Sequence, residues 1–277
     1  MTVHSGKFGA VDTVSTLRSF TLSEVLNLNA HTTSNTRAGK NRSKGIRSWS
    51  GQILGWGSQP SVMPGETLAF VGYGAPDSGV YNTVGQRYSG NVMITQAQIV
   101  FNFESGEPIG YTLDFVGQLA LTKTAAAAAI VDSTAPDIPE ICAASLEYFN
   151  VSDQLITDVT QATLTITSDV KTFANSSTVV SGTCWQNAIA GPIDWNLTWT
   201  RQSELAALEP GAQHVFKVND TASTLWTLTE GIVGDMSNIQ VDVDTGNIIS
   251  HQQTAYMQAN PGTLGSITMP DTTTFWP

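Results

Sequence analysis

The chain has 277 residues, 41% of them apolar and 13% charged, a composition that supplies a packed core and excludes an intrinsically disordered protein. No stretch approaches the roughly 20 apolar residues of a membrane helix, the first nine residues (MTVHSGKFG) lack the apolar segment of a secretory signal, and Cys142 and Cys184 are too few for a disulfide framework. The net charge of −11 is unevenly divided: residues 1–122 carry eight Lys/Arg and seven Asp/Glu, residues 123–277 four and sixteen.

In chain order the elements come twice. Phe20-Thr21-Leu22-Ser23 matches Leu164-Thr165-Ile166-Thr167 at an offset of 144. Trp49 and Trp195 each stand fifteen residues before a Pro-Gly pair, Pro64-Gly65 and Pro210-Gly211, and Phe70 and Phe216 keep the same offset of 146. Ile99 to Gly106 (IVFNFESG) aligns with Ile239 to Gly246 (IQVDVDTG) at 140. Anchors in one order with drifting offsets read as a tandem duplication of units too long for solenoid repeats. The expected division is a first β domain over 1–122, a linker over 123–146 and a second β domain over 147–277.

Within the first copy, Arg37, Lys40, Arg42, Lys44 and Arg47 fall in a Gly/Ser/Asn-rich loop without an acidic neighbour. Three readings are open for it: a solvated loop, a nucleic-acid contact, or a contact with the acidic second copy of a neighbouring subunit. The runs Ile46 to Gly57 and Thr67 to Val71 read as strands, and Gly72 to Asn91, with Tyr73, Tyr81 and Tyr88, as a long hairpin arm. Ile99, Phe101 and Phe103 alternate with Gln98, Asn102 and Glu104, and after the Ser105-Gly106-Glu107-Pro108 turn Tyr111, Leu113 and Phe115 alternate with Thr112, Asp114 and Gln118. Period-two alternation on both sides of a turn predicts a β-hairpin with one buried face.

An alanine run, Ala125 to Ala129, then Pro136 and Pro139, marks the linker, and apolar spacing from Ile138 to Phe149 after an Asp137/Glu140 capping box predicts a short helix over 138–149. In the second copy, Trp195 to Arg201 and Gln213 to Val218 read as strands, and Ile239, Val241 and Val243 alternate with Asn238, Gln240, Asp242 and Asp244. The return strand, Ile248 to Met257, is polar on both faces, so its register or its surroundings must differ from the first copy. The tail from Asn260 reads as an extended surface segment. The fold class expected is mainly β: two tandem β-sandwich or partial-barrel domains with a short helix and long hairpins.

Catalytic patterns are missing. The four histidines lack metal-site spacing, and there is no HExxH, Walker loop, nucleophile elbow or dinucleotide fingerprint, so neither an enzyme nor a cofactor or metal site is expected. Asp242 and Asp244 share a strand face and could chelate a cation, but a solvated face explains them as well. Among the seven Trp, the equivalence of Trp49 and Trp195 argues for core positions, and a core or interface role is preferred over a sugar platform for Trp56, Trp199, Trp226 and Trp276.

The chain resembles the tail tube (major tail) proteins of long-tailed bacteriophages. The residues that carry the resemblance are Gly9-Ala10-Val11-Asp12 leading to Phe20-Thr21-Leu22-Ser23, Trp49-Ser50-Gly51, Pro64-Gly65-Glu66, and Ser105-Gly106-Glu107-Pro108-Ile109 with Tyr111, Leu113, Phe115 and Gly117. They cover most of the first copy and, more faintly, the second. The resemblance implies a β-sandwich with an adjacent helix, long hairpins joining subunits into a closed barrel, and a virion protein assembled in the host cytoplasm. Stacked rings of such proteins enclose the channel for DNA ejection; a duplicated chain fills a six-fold ring as a trimer. Implied partners are further copies of the chain, the tape-measure protein and tail-tip or terminator proteins, with DNA only in transit and no membrane.

A lumen passing DNA calls for polar or acidic faces. The candidates are Gln98, Asn102, Glu104, Thr112, Asp114 and Gln118 in the first copy and Asn238, Gln240, Asp242 and Asp244 in the second. Candidate subunit contacts are Arg37, Lys40, Arg42, Lys44, Arg47, Tyr73, Tyr81 and Tyr88. The alternatives are another tail or baseplate component of the same fold, or a carbohydrate-binding adhesin domain.

Overall fold

The computed structural model describes residues 6–8, 17–32, 39–57, 59–60, 62–74, 86–103, 109–125, 149–152, 154–202, 208–219, 225–240, 249–260, 263–264, 266–268 and 274–276. Among them the protein is mainly β, its ladders antiparallel, with one 3-10 turn at Ser176–Thr178 and no α-helix. The predicted helix lies outside the described residues except at its last position, Phe149. That residue is a fully buried strand residue, because its backbone pairs with Val218 and its ring packs 5.7 Å from Trp199.

In the first segment, β1 is Gly6–Phe8, β2 Leu17–His31, β3 Asn41–Trp56, β4 Thr67–Gly74, β5 Gln86–Asn102 and β6 Gly110–Ala125. In the second, β7 is Phe149–Val151, β8 Gln154–Leu155 and β9 Val159–Ser168. The connection after β9 holds β10 (Lys171–Phe173), β11 (Val179–Val180), β12 (Thr183–Cys184) and β13 (Asn187–Ile189). Then come β14 (Ile193–Gln202), β15 (Gln213–Asn219), β16 (Leu225–Val233), β17 (Ser237–Gln240) and β18 (Ser250–Met257). Short strands β19 (Ala259–Asn260), β20 (Thr263–Leu264), β21 (Ile267–Thr268) and β22 (Thr274–Trp276) complete the chain. Part of the tail is therefore anchored, since β21 pairs with β16 and buries Ile267.

The ladder scheme of the first segment recurs in the second. Phe8 opposite Phe70 corresponds to Val151 opposite Phe216, and Glu24 opposite Trp49 to Ile166 opposite Trp195. Gly51 opposite Phe115 corresponds to Leu197 opposite Ala255, which preserves the offsets of 146 and 140 across two strands at once. One offset shifts: the ladders relate β2 to β9 by 142, not the 144 suggested by the residue types. A two-residue slip keeps the same side chains facing the core.

Both Pro-Gly pairs are type II turns. Gly65 and Gly211 have φ of +88° and +85°, and the Glu66 and Ala212 amides each donate to the carbonyl three residues back, at 3.1 Å. The flanking bonds also match: Gly65 N–H to Ile94 O at 2.8 Å and Gly211 N–H to Val233 O at 2.7 Å. An L-residue at such a φ is strained, so Gly65→Ala and Gly211→Ala are each expected to lower unfolding stability by about 1 kcal/mol. Parallel urea titrations check this, and unequal losses would mean that the turns are not equivalent.

Packing explains how one ladder scheme tolerates two sequences. Facing positions exchange bulk: Gly51 with Phe115 becomes Leu197 with Ala255, and Phe20 with Ile53 becomes Ala162 with Trp199. Glycine is required where an aromatic ring lies against the strand. A Cβ at Gly117 would stand 2.2 Å from the Trp49 indole, and one at Gly55 2.3 Å from the Tyr111 ring. The indole of Trp49 donates to the Leu119 carbonyl at 3.0 Å, where Leu119 adopts φ +62°.

The two segments join edge to edge. β5 is paired along its length with β6; on its other side it pairs with β4 up to Met93 and with β9 from Gln96 to Asn102. The exchange of partners coincides with a register shift between Ile94 and Gln96. Among the described residues one sheet of sixteen strands results, and the buried residues of both segments form a single hydrophobic cluster from Trp49 to Ile267.

Candidate functional surface

Six neighbouring strands, β3, β6, β5, β9, β14 and β18, bury one face and present the other. The buried face carries Ile53, Leu113, Ile99, Leu164, Leu197 and Ala255, and alternation places Gln52, Thr112, Gln98, Thr165, Asn196 and Thr254 on the opposite face. The register aligns these residues into cross-strand rows. One runs Thr112, Gln98, Thr165, Asn196, Tyr256 and another Asn102, Gln161, Thr200, Gln252. Thr198 and Thr254 exchange a hydroxyl hydrogen bond at 2.9 Å, and Gln52 donates to Asp114 at 2.9 Å. Among the described residues no lysine or arginine stands in these rows; Arg87, exposed near the start of β5, alternates onto the same face away from them, its neighbour Tyr88 packing on the core side. The carboxylates of this face among the described residues are Asp114 and, at the start of β14, the exposed Asp194.

Of the sequence-derived lumen candidates, Gln98, Asn102, Thr112, Asp114 and Gln118 all fall on this face. Gln118 is tied down, its amide donating to the Ala188 carbonyl of β13 at 2.9 Å. Asn238 and Gln240 occupy β17, with Gln240 opposite Ser250 as Val100 is opposite Gly110. Glu104, Asp242 and Asp244 lie outside the described residues.

The contact candidates separate into two groups. β3 pairs with β6 only from Ser50 to Trp56 and is bridged to Trp185 at Arg47, so residues 41–46 and their β2 partners form a two-stranded ribbon. Lys40, Arg42 and Lys44 are exposed there, together with Val25, Leu28 and Ile46. Arg47 is instead an internal strut: its Nε lies 3.4 Å from Glu24 and its guanidinium 5.3 Å from the Trp185 ring. Glu24 also pairs with Lys123. Tyr88 is half-buried against the core and lines a cleft with Arg18, Phe20 and Glu24. Arg37 and Tyr81 lie outside the described residues, as does the side chain of Tyr73.

Sequence reasoning missed a buried polar cluster in the second segment. Arg201, 4% exposed, donates from Nε and Nη2 to Asp158 at 2.9 and 2.8 Å. It stands opposite His251, itself 4% exposed, whose Nε2 has no hydrogen-bond partner among the described residues. Burial, then the Arg201 charge, hold the His251 imidazole below its ordinary pKa, with Asp158 opposing. Next along β18, Gln253 accepts from the Leu208 amide and donates to its carbonyl, at 3.0 and 2.8 Å. The polar return strand therefore keeps the first segment's register against β14, departs from it against β17 by the shift between Ser237 and Gln240, and differs in surroundings. In the first segment Gly55 and Tyr111 fill the places of Arg201 and His251.

Trp195, Trp199 and Trp226 are fully buried and Trp49 and Trp185 nearly so, which removes Trp226 as an exposed sugar platform. Trp56 is half-buried beneath the Arg18 guanidinium, 4.9 Å from its ring. Among the described residues no cluster of three or more His, Cys, Asp or Glu is placed to hold a metal, and no helix is long and apolar enough to cross a membrane. No protein-family model matches the chain, and no curated protein matches it.

Proposed function

We propose that the chain is a structural virion protein that polymerises as stacked rings into the tail tube of a long-tailed bacteriophage and forms the channel for DNA ejection. The observation that carries this reading is the largely polar face that continues from β3 to β18 across both repeats. A polyanion sliding past rows of Thr, Gln and Asn side chains, with Asp114 and Asp194 beside them and Arg87 away at the start of β5, finds little counter-charge along them and no specific base contact to hold it. The repeated ladder scheme supports the symmetry: two like units per chain fill a six-fold ring with three chains. In this reading the protein acts by shape and electrostatics rather than as an enzyme, and its partners are other copies, the tape-measure protein and the tail-end proteins.

Negative-stain microscopy of the purified protein tests the proposal. Open-ended tubes of constant width, built from rings of three chains by native mass, are expected. Closed rings that never stack would reassign the chain to a terminator or distal tail component, and a strict monomer at all concentrations would sink both readings.

A further inference from the structure

Each strand flanking the seam between the segments has a counterpart at an open edge. At the seam, β5 pairs with β9 over seven residues, with Ile99 opposite Leu164, both fully buried. The counterpart of the paired half of β5 is β17: Val100 opposite Gly110 maps onto Gln240 opposite Ser250 at the common offset of 140, and a register shift within β17 then sets Ser237 opposite Gln252 where the first segment has Gln98 opposite Thr112, an offset of 139. The counterpart of β9 is β2, at 142. Among the described residues β17 pairs only with β18 and β2 only with β3, so each has one open edge.

Exposure marks the difference. Ile99 is fully covered at the seam, whereas Ile239, its counterpart on the same face, is 58% exposed. An apolar side chain on the core face of an unpaired edge strand is a template for another chain.

We propose that the open edges of β17 and β2 form one junction between two copies of this chain, in the register of the internal seam at the end of β17 where the offset holds, with Gln240 opposite Thr21 as Val100 is opposite Thr163 and Ile239 next along it toward Leu22. The contact is head to tail, because the two edges differ; closure into a three-chain ring rests on the tube reading, while the register rests on the repeat alone. The connection between the flanking strands follows the same rule. After β9 it crosses the seam onto the first segment, where Gln186 N–H donates to Arg47 O at 2.8 Å and Leu119 N–H to Gln186 O at 2.9 Å. The counterpart connection, between β2 and β3, is the basic ribbon. It would cross onto the second segment of the neighbouring copy beside Asp194, the segment whose residues 149–277 hold twelve acidic and three basic residues. Charge complementarity then selects the same partner as the strand register.

Disulfide trapping tests the junction, since directly opposed strand residues lie within disulfide reach. Mixing Thr21→Cys with Gln240→Cys full-length chains under mild oxidation is expected to give a covalent dimer that the parent chain and each variant alone do not give. The double variant is expected to give a ladder ending at three chains. Ile239→Asp should fold with an unchanged melting temperature, because the side chain is exposed in the single chain, yet raise the midpoint concentration for assembly about tenfold or more.

Assembly visible by microscopy without the mixed dimer would overturn the junction and leave the tube reading standing, as would assembly of Ile239→Asp at parent concentrations. A ladder running past three would support the edge pairing and overturn the three-chain ring. No assembly and no cross-link at any concentration would overturn both.

Discussion

Exchanging the bulk of one facing pair, Leu197→Gly with Ala255→Phe, is expected to cost far less than its two halves added together. Leu197 and Ala255 are fully buried and directly opposed on β14 and β18. Leu197→Gly alone leaves a cavity and loosens a strand, a loss of about 4 kcal/mol. Ala255→Phe alone forces a ring into occupied space and costs about 3 kcal/mol. Together they recreate the first segment's Gly51 opposite Phe115, where a Cβ at Gly51 would lie 2.5 Å from the Phe115 ring. The coupling should therefore return about 2 kcal/mol, well outside the additivity error of independent sites. Chemical denaturation of the four proteins in the cycle reads it directly. Simple additivity would show that the pairs share a register but not a packing solution.

Asp158→Ala is the second large effect, expected at about 3–5 kcal/mol. Asp158 accepts two hydrogen bonds from the buried Arg201, and removing it leaves a guanidinium desolvated beside His251. The same cluster gives a pH dependence of defined sign. The folded protein holds His251 below its ordinary pKa, so the unfolded chain binds the proton first as the pH falls. Above about pH 7 both states are neutral at this residue and it contributes nothing. As the pH drops through about 6.5 stability is lost, and the loss stops once the folded imidazole also protonates. Urea midpoints between pH 8 and pH 5 should therefore fall less steeply in His251→Gln than in the parent chain. Equal slopes would place the titrating group elsewhere.

The sequence was legible where a physical requirement recurs. A positive-φ turn needs glycine after proline, so Pro64-Gly65 and Pro210-Gly211 could be read as one turn used twice. Core positions under an indole recur for the same reason, as at Trp49 and Trp195. The face holding Gln98, Thr112 and Asp114 was legible from period-two alternation. The seam was not, because edge pairing between β5 and β9 leaves no mark in either strand beyond apolar alternation that other packing would also produce. The Arg201, Asp158 and His251 cluster was hidden by distance along the chain and by its absence from the first segment. Strands of two or three residues, such as β11 and β13, are too short for any period to show, which concealed the connection that crosses the seam.

The internal seam has a kinetic meaning. Because β5 and β9 belong to one chain, that contact forms as a unimolecular event, at an effective concentration on the order of millimolar. In an assembly of alternating internal and external junctions, half the contacts are complete before any two chains meet. A six-unit ring of three chains then requires two encounters and one closure, and its closed size becomes a property of folding as much as of concentration.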